Sequence, residues 1–185
     1  MTTNYFFPKM PKWIAPKLTG LAYLNINLIK ITEEGLRMLG EMSALLSLEL
    51  WFLGAQNDRL IFRGHVFPCL KEFVGVCRTR ATYLKFEEAA LPKLEKLKVS
   101  FFVSAAKADG FNLGISHLPR LKHATIYLNS TNATSSESKA AAADIRNEAN
   151  AHPNRRRVSI FGEMEEHESD EEELVKEIST DEDEV

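Results

Sequence analysis

One apolar pattern, LxxLxxLxL, is written five times between Leu18 and Ile126 in constant register. Its clearest copy is Leu91-Pro92-Lys93-Leu94-Glu95-Lys96-Leu97-Lys98-Val99. The first apolar position is filled by Leu18, Met42, Phe67, Leu91 and Leu118, and the second by Leu21, Leu45, Leu70, Leu94 and Leu121. The third is Leu24, Leu48, Phe73, Leu97 and Ala124, and the fourth Ile26, Leu50, Gly75, Val99 and Ile126. Successive copies start 24, 25, 24 and 27 residues apart. A unit this short cannot bury its apolar side alone, so the copies must stack and share a continuous core.

Within each copy the last two apolar positions alternate with outward-facing ones, as in Leu48-Glu49-Leu50-Trp51. That period of two belongs to a strand with one buried face, and stacking sets the strands parallel. Between strands, Thr32-Glu33-Glu34-Gly35-Leu36-Arg37-Met38-Leu39 reads as a short capped helix on the convex side. Residues 54 to 64 are too polar and glycine-bounded for a helix. The fold class is therefore α/β: a leucine-rich repeat solenoid with short parallel strands on the concave face and an irregular or short-helical convex side. In the third copy Gly75 stands where a large apolar residue is expected, which predicts a bulge there with repacking by Val74, Val76 and Cys77, the alternative being a functional notch.

Residues 1–17 read as a partial repeat or edge, with Phe6, Phe7 and Trp13 as candidates for covering the exposed end of the core. Residues 18–134 hold the repeats. Over residues 135–162 a serine-started, alanine-rich helix ends at His152-Pro153 and a strand, Arg157 to Phe161, follows. Together they form a C-terminal cap, with Ile145, Val158 and Ile160 set against the last repeat. Residues 163–185 are too acidic and too poor in apolar side chains to bury a core, so a disordered acidic tail is expected.

The net charge of -3 conceals a division. Up to Gly162 the chain has 22 Lys and Arg against 13 Asp and Glu, a net of +9; from Glu163 onward it has 13 acids and Lys176, a net of -12. A salt-sensitive association between tail and body follows from these signs. Arg155-Arg156-Arg157 could suggest nucleic acid, but the tethered tail competes for any basic surface, and no nucleic-acid partner is expected. Two cysteines, Cys69 and Cys77, make no disulfide framework and no metal spacing, which fits a reduced, cytoplasmic setting. Lys9, Lys12 and Lys17 with Pro8, Pro11 and Pro16 interrupt the early apolar runs, so neither a secretory leader nor a membrane span is expected. The sequons Asn129-Ser130-Thr131 and Asn132-Ala133-Thr134 read as an unused polar loop.

Catalytic constellations are missing. His65, His117, His123, His152 and His167 are scattered, and no serine or cysteine stands in a nucleophile context. His117 reads as a solvated or capping residue, and the tail carboxylates lack the alternating spacing of a calcium loop. No enzyme activity, cofactor or metal is expected.

The repeat spacing, Phe67-Pro68-Cys69-Leu70-Lys71, Leu91-Pro92-Lys93-Leu94-Glu95-Lys96-Leu97 and Gly114-Ile115-Ser116-His117-Leu118-Pro119 resemble plant intracellular disease-resistance receptors. The likeness is to the end of the leucine-rich domain in the cereal coiled-coil, nucleotide-binding class. The alanine-rich helix followed by Ala151-His152-Pro153-Asn154 is similar to the ending those receptors share. The resemblance implies a part in plant defence: sensing pathogens and holding the receptor inactive against its nucleotide-binding domain. Implied partners are a pathogen effector, a host guardee or that nucleotide-binding domain. The chain departs from the family in having no GxxxxGK[ST] phosphate loop, so any nucleotide switch lies outside these residues. The alternative is the leucine-rich substrate-receptor arm of an F-box ubiquitin ligase, for which residues 1 to 17 are too short to hold the F-box.

If the leucines point inward, the residues between them line the concave face. These are Tyr23, Asn25 and Asn27; Ser47, Glu49 and Trp51; Glu72, Val74 and Val76; Lys96, Lys98 and Ser100; and His123, Thr125 and Tyr127. Trp51 beside Val74 and Val76, flanked by Lys96 and Lys98, has the composition of a protein-binding hot spot. The predicted partner-binding set is Tyr23, Asn25, Glu49, Trp51, Val74, Val76, Lys96, Lys98 and Tyr127. The competing expectation is that Val74 and Val76 are core residues of a slipped third repeat.

Overall fold

A computed structural model describes residues 5–64, 66–80, 82–106, 110–151 and 157–162. Six strands form one parallel sheet: β1 (Tyr23–Ile31), β2 (Ser47–Ala55), β4 (Glu72–Cys77), β6 (Lys96–Phe102), β7 (His123–Asn129) and β8 (Arg157–Phe161), in that spatial order. The apolar positions pair in the register of the repeat. Leu24, Leu48, Phe73, Leu97, Ala124 and Val158 make one row, and Ile26, Leu50, Gly75, Val99, Ile126 and Ile160 the next. From Leu24 to Ile126 the apolar side chains of these rows are buried in one core. Each Leu, Ile, Val or Phe among them contributes about 1.5–3 kcal/mol relative to exposure, and Ala124 less.

Strands join through helices and turns on the far side. In α1 (Glu33–Gly40) the Thr32 hydroxyl accepts the Gly35 N–H at 3.0 Å, and Leu36 and Leu39 are buried. The short α2 (Val103–Ala106) follows β6. Residues 54 to 64 form no α-helix. A 3-10 turn over Gln56–Asp58 leads into β3 (Arg59–Phe62), which pairs in parallel with β5 (Tyr83–Phe86). This second sheet is a finding beyond the expected irregular convex side. It forms because Leu60, Phe62, Leu84 and Phe86 point into the core while Ile61 and Lys85 point away.

Gly75 does not bulge. It pairs in unbroken register with Leu50 and Val99. A Cβ there would lie 2.9 Å from Phe73 Cζ, so the Phe73 ring occupies the space a larger residue would fill. Phe62 holds that ring from the second sheet, with centroids 5.1 Å apart.

The predicted terminal helix is α3 (Ser135–Asn150), begun by a reciprocal capping box between Thr134 and Glu137. Ile145 is fully buried, and Val158 and Ile160 of β8 pack against the same core. At the other edge, Phe7 N–H donates to Asn27 O at 2.9 Å and Phe7 O accepts from Ile29 N–H at 2.7 Å, a single bridge onto β1. Ile14 is buried there, while Trp13 is 60% exposed and does not cover the core as expected. The expected tail, residues 163–185, and Arg155 and Arg156 lie outside the described residues.

Candidate protein-binding surface

Strand alternation turns three rows of side chains to the exposed side of the sheet, with neighbouring strands about 4.8 Å apart. Tyr23, Ser47, Glu72, Lys96 and His123 form the first row. Asn25, Glu49, Val74, Lys98, Thr125 and Ser159 form the second. Asn27, Trp51, Val76, Ser100, Tyr127 and Phe161 form the third.

Two aromatic patches stand on this face. In the first, Trp51 is oriented from both sides: its indole N–H donates to Glu49 Oε1 at 2.7 Å, and the Arg78 guanidinium lies 5.9 Å from the ring centroid. Val74 is half-buried, and Val76, beside Trp51 in register, is only 6% exposed. Val76 lies outside the main core cluster although it is buried. The third repeat is not slipped: both valines alternate with Phe73 and Gly75 in unbroken register, Val74 half-buried and Val76 buried.

In the second patch the Tyr127 and Phe161 rings stack with centroids 5.4 Å apart and planes 24° apart. The Lys98 ammonium lies 5.5 Å from the Tyr127 centroid. Ser100 and Val76 are the residues between this patch and Trp51 along the row. Lys96 turns to Glu72 across the strand pair, at 2.6 Å, and the hydrogen-bonded carboxylate holds its ammonium above the ordinary lysine value. Both side chains are well solvated, so the pair adds little stability. Tyr23 and Asn25 are exposed on β1, where Asn25 pairs in register with Glu49 at the edge of the Trp51 patch.

Arg78 and Phe161 were not among the predicted residues. Both continue an alternation already visible: Arg78 follows Val76 by two, and Phe161 follows the core residue Ile160 by one. Treating Arg157 to Phe161 only as a closing strand stopped that logic one strand early.

Elsewhere the polar groups have structural employment. His117 Nδ1 meets Phe86 O at 3.0 Å, the histidine acting on the end of β5. Burial pushes the Cys77 thiol up, and its Sγ donates to Thr79 O at 3.3 Å, so thiolate chemistry is disfavoured. Among the described residues, no group of three or more His, Cys, Asp or Glu is placed to hold a metal ion, and no helix is long and apolar enough to cross a membrane.

Comparison with known proteins agrees with this architecture. A family model described as a leucine-rich repeat region matches residues 1–158. The chain is similar to three rice (Oryza sativa subsp. japonica) proteins. Disease resistance proteins Pikm1-TS and Pik-1 are each 28% identical to it over 149 residues, 80% of this chain and 13% of theirs. Disease resistance protein RGA5 is 28% identical over 156 residues, 83% of this chain and 14% of its own. The chain thus spans about a seventh of the curated relatives it matches. No solved structure gives a significant match. The likeness to plant disease-resistance receptors seen in the residues is borne out by these relatives. With β1 to β7 and α3 all inside the matched span, the chain belongs to the leucine-rich repeat region family.

Proposed function

We propose that this chain is the recognition and autoinhibitory region of a plant immune receptor, working in the cytoplasm through protein contacts and without catalysis. The observation that carries the proposal is the Trp51 patch: a large aromatic on the exposed side of the sheet, held by Glu49 and Arg78 and set beside Val74 and Val76. Aromatic anchors already fixed in place lose little entropy on binding and dominate interface energies. The ion pair between Lys96 and Glu72 and the Lys98–Tyr127 contact supply a polar rim on the side toward β7. The rice relatives, named disease resistance proteins, support the defence setting.

The test is calorimetric titration of the full chain with a purified nucleotide-binding domain from a receptor of the resembled family. Trp51→Ala is expected to weaken binding by about 2 kcal/mol, roughly 30-fold, with folding unchanged. Equal affinity in a folded variant, or no binding by the wild-type chain, would overturn the autoinhibitory part.

A further inference from the structure

Charge is unevenly spread over the exposed side of the sheet. Around the starts of β4, β6 and β7, Lys71, Lys93, Lys96, Arg120 and Lys122 are exposed and Lys98 is half-buried. Backbone hydrogen bonds gather them: the N–H groups of Glu95 and Lys96 donate to Lys71 O at 2.8 and 2.9 Å, and those of Lys122 and His123 to Glu95 O at 2.8 and 3.1 Å. The two carboxylates among them are each engaged by one base, Glu72 by Lys96 at 2.6 Å and Glu95 by Lys122 at 2.5 Å. The Lys122 hydrogen bond, with Lys71 and Arg120 nearby, holds the Glu95 carboxyl below the usual carboxylate range. Six bases against two carboxylates leave four positive charges in surplus. Lys98 sits over the Tyr127 ring and meets no carboxylate among the described residues.

The chain's own acidic segment leaves the sheet close to this surplus. β8 runs parallel to β7, with Arg157 beside His123 and Phe161 beside Tyr127. Phe161, a residue of the exposed face, is thus four residues or about 13 Å along the strand from the basic patch. The 23 residues from Glu163 to Val185 carry 13 acids and one lysine. Chain of that length can span at most about 80 Å, several times the return distance.

We propose that residues 163–185 dock on the basic half of the face, over Lys96, Lys98 and Lys122, and compete there with the protein partner. Tethering gives such a segment an effective concentration in the mM range, so it occupies the patch ahead of any untethered acidic protein of similar affinity. Docking itself rests on charge and reach; the competition rests on the proposed function of the face. A partner arriving at this half must displace carboxylates, which selects for a more acidic or better-shaped surface.

The test uses the full chain and a variant with Asp170→Asn, Glu171→Gln, Glu172→Gln and Glu173→Gln. Backbone amide shifts are followed by NMR as sodium chloride is raised. In the wild-type chain the amides of Lys96, Lys98 and Lys122 are expected to move as salt screens the contact, and in the variant, whose tail falls from -12 to -8, to move about a third less. Equal salt responses in the two chains, or shifts confined to other surfaces, would overturn docking. Shifts that grow with protein concentration would overturn it too, by assigning the patch to a second copy's tail. Titration of the nucleotide-binding domain separates the two proposals. Tail-dependent shifts without tighter partner binding by the variant retain docking and remove competition.

Discussion

Glu148, on the closing helix, accepts a hydrogen bond from the backbone N–H of Leu113 at 3.1 Å, joining α3 to the loop before the last repeat. The same carboxylate accepts from Ser116 N–H at 3.3 Å, and Gly114, in the left-handed region at φ 79, turns the loop around it. One side chain thereby satisfies amides that the short 3-10 turn Ile115–His117 leaves without partners.

Glu148→Ala is expected to lower stability by about 1–2 kcal/mol in urea denaturation, because the part-buried Leu113 amide loses its acceptor while the exposed Ser116 amide can turn to water. Glu148→Gln keeps an oxygen and costs less. Burial pushes the Glu148 carboxyl above the ordinary carboxylate value of 4.5, with the Ser116 and Leu113 amides opposing part of the shift. The folded protein therefore holds this proton more tightly than the unfolded chain. The contribution is full below the unfolded value and declines as pH rises from there through the folded value. The stability of Glu148→Gln should lack that decline; an identical pH profile would remove the group from the account.

Gly114 can hardly be replaced. An added Cβ would stand 1.8 Å from Phe86 O, and the backbone at φ 79 already disfavours a side chain. Gly114→Ala is expected to cost at least about 3 kcal/mol, measured by chemical denaturation. The loss should reach β5, whose Phe86 N–H donates to Leu113 O at 2.7 Å. A wild-type midpoint would contradict the close approach.

Gly75→Val restores the residue type found at Leu50 and Val99, yet it is expected to destabilise by about 1–3 kcal/mol. The reason is Phe73, whose Cζ would lie 2.9 Å from the new Cβ. Phe73→Leu removes the ring, so the double variant should be more stable than the summed single effects allow. Additive losses would show that the two residues do not share one volume.

Trp51→Ala is expected to change folding stability by no more than about 1 kcal/mol, since Trp51 lies outside the core cluster. Comparison with Leu50→Ala, one residue away and fully buried, provides the contrast: there the loss should be about 2–5 kcal/mol. Similar midpoints for the two variants would mean that the face is structural.

Much of the fold could be read from spacing. The rows Leu24 to Ala124 and Ile26 to Ile126 pair as their sequence offsets require, since a strand shifted by one residue would put its apolar side chains in water. The same alternation put Glu49, Trp51, Val74, Val76, Lys98 and Tyr127 on one side of the sheet, though Val76 there is buried. Where an extra rule was imposed, it failed: Gly75 was assigned a bulge because glycine in a strand often marks one, although a neighbouring ring filled the space instead.

The repeat period, the burial of one strand face and the caps at Thr32 and Thr134 were settled within a few residues of chain, where periodicity and local hydrogen bonding act. The Phe73 ring at Gly75, the pairing of β3 with β5, the His117 contact to Phe86 and the Glu148 contact to Leu113 were settled by folding. Apart from the Phe73–Gly75 pair, these join residues from different repeats or from the cap. They depend on ring orientation and ångström-scale distances, which an apolar pattern constrains to a face but not to a partner.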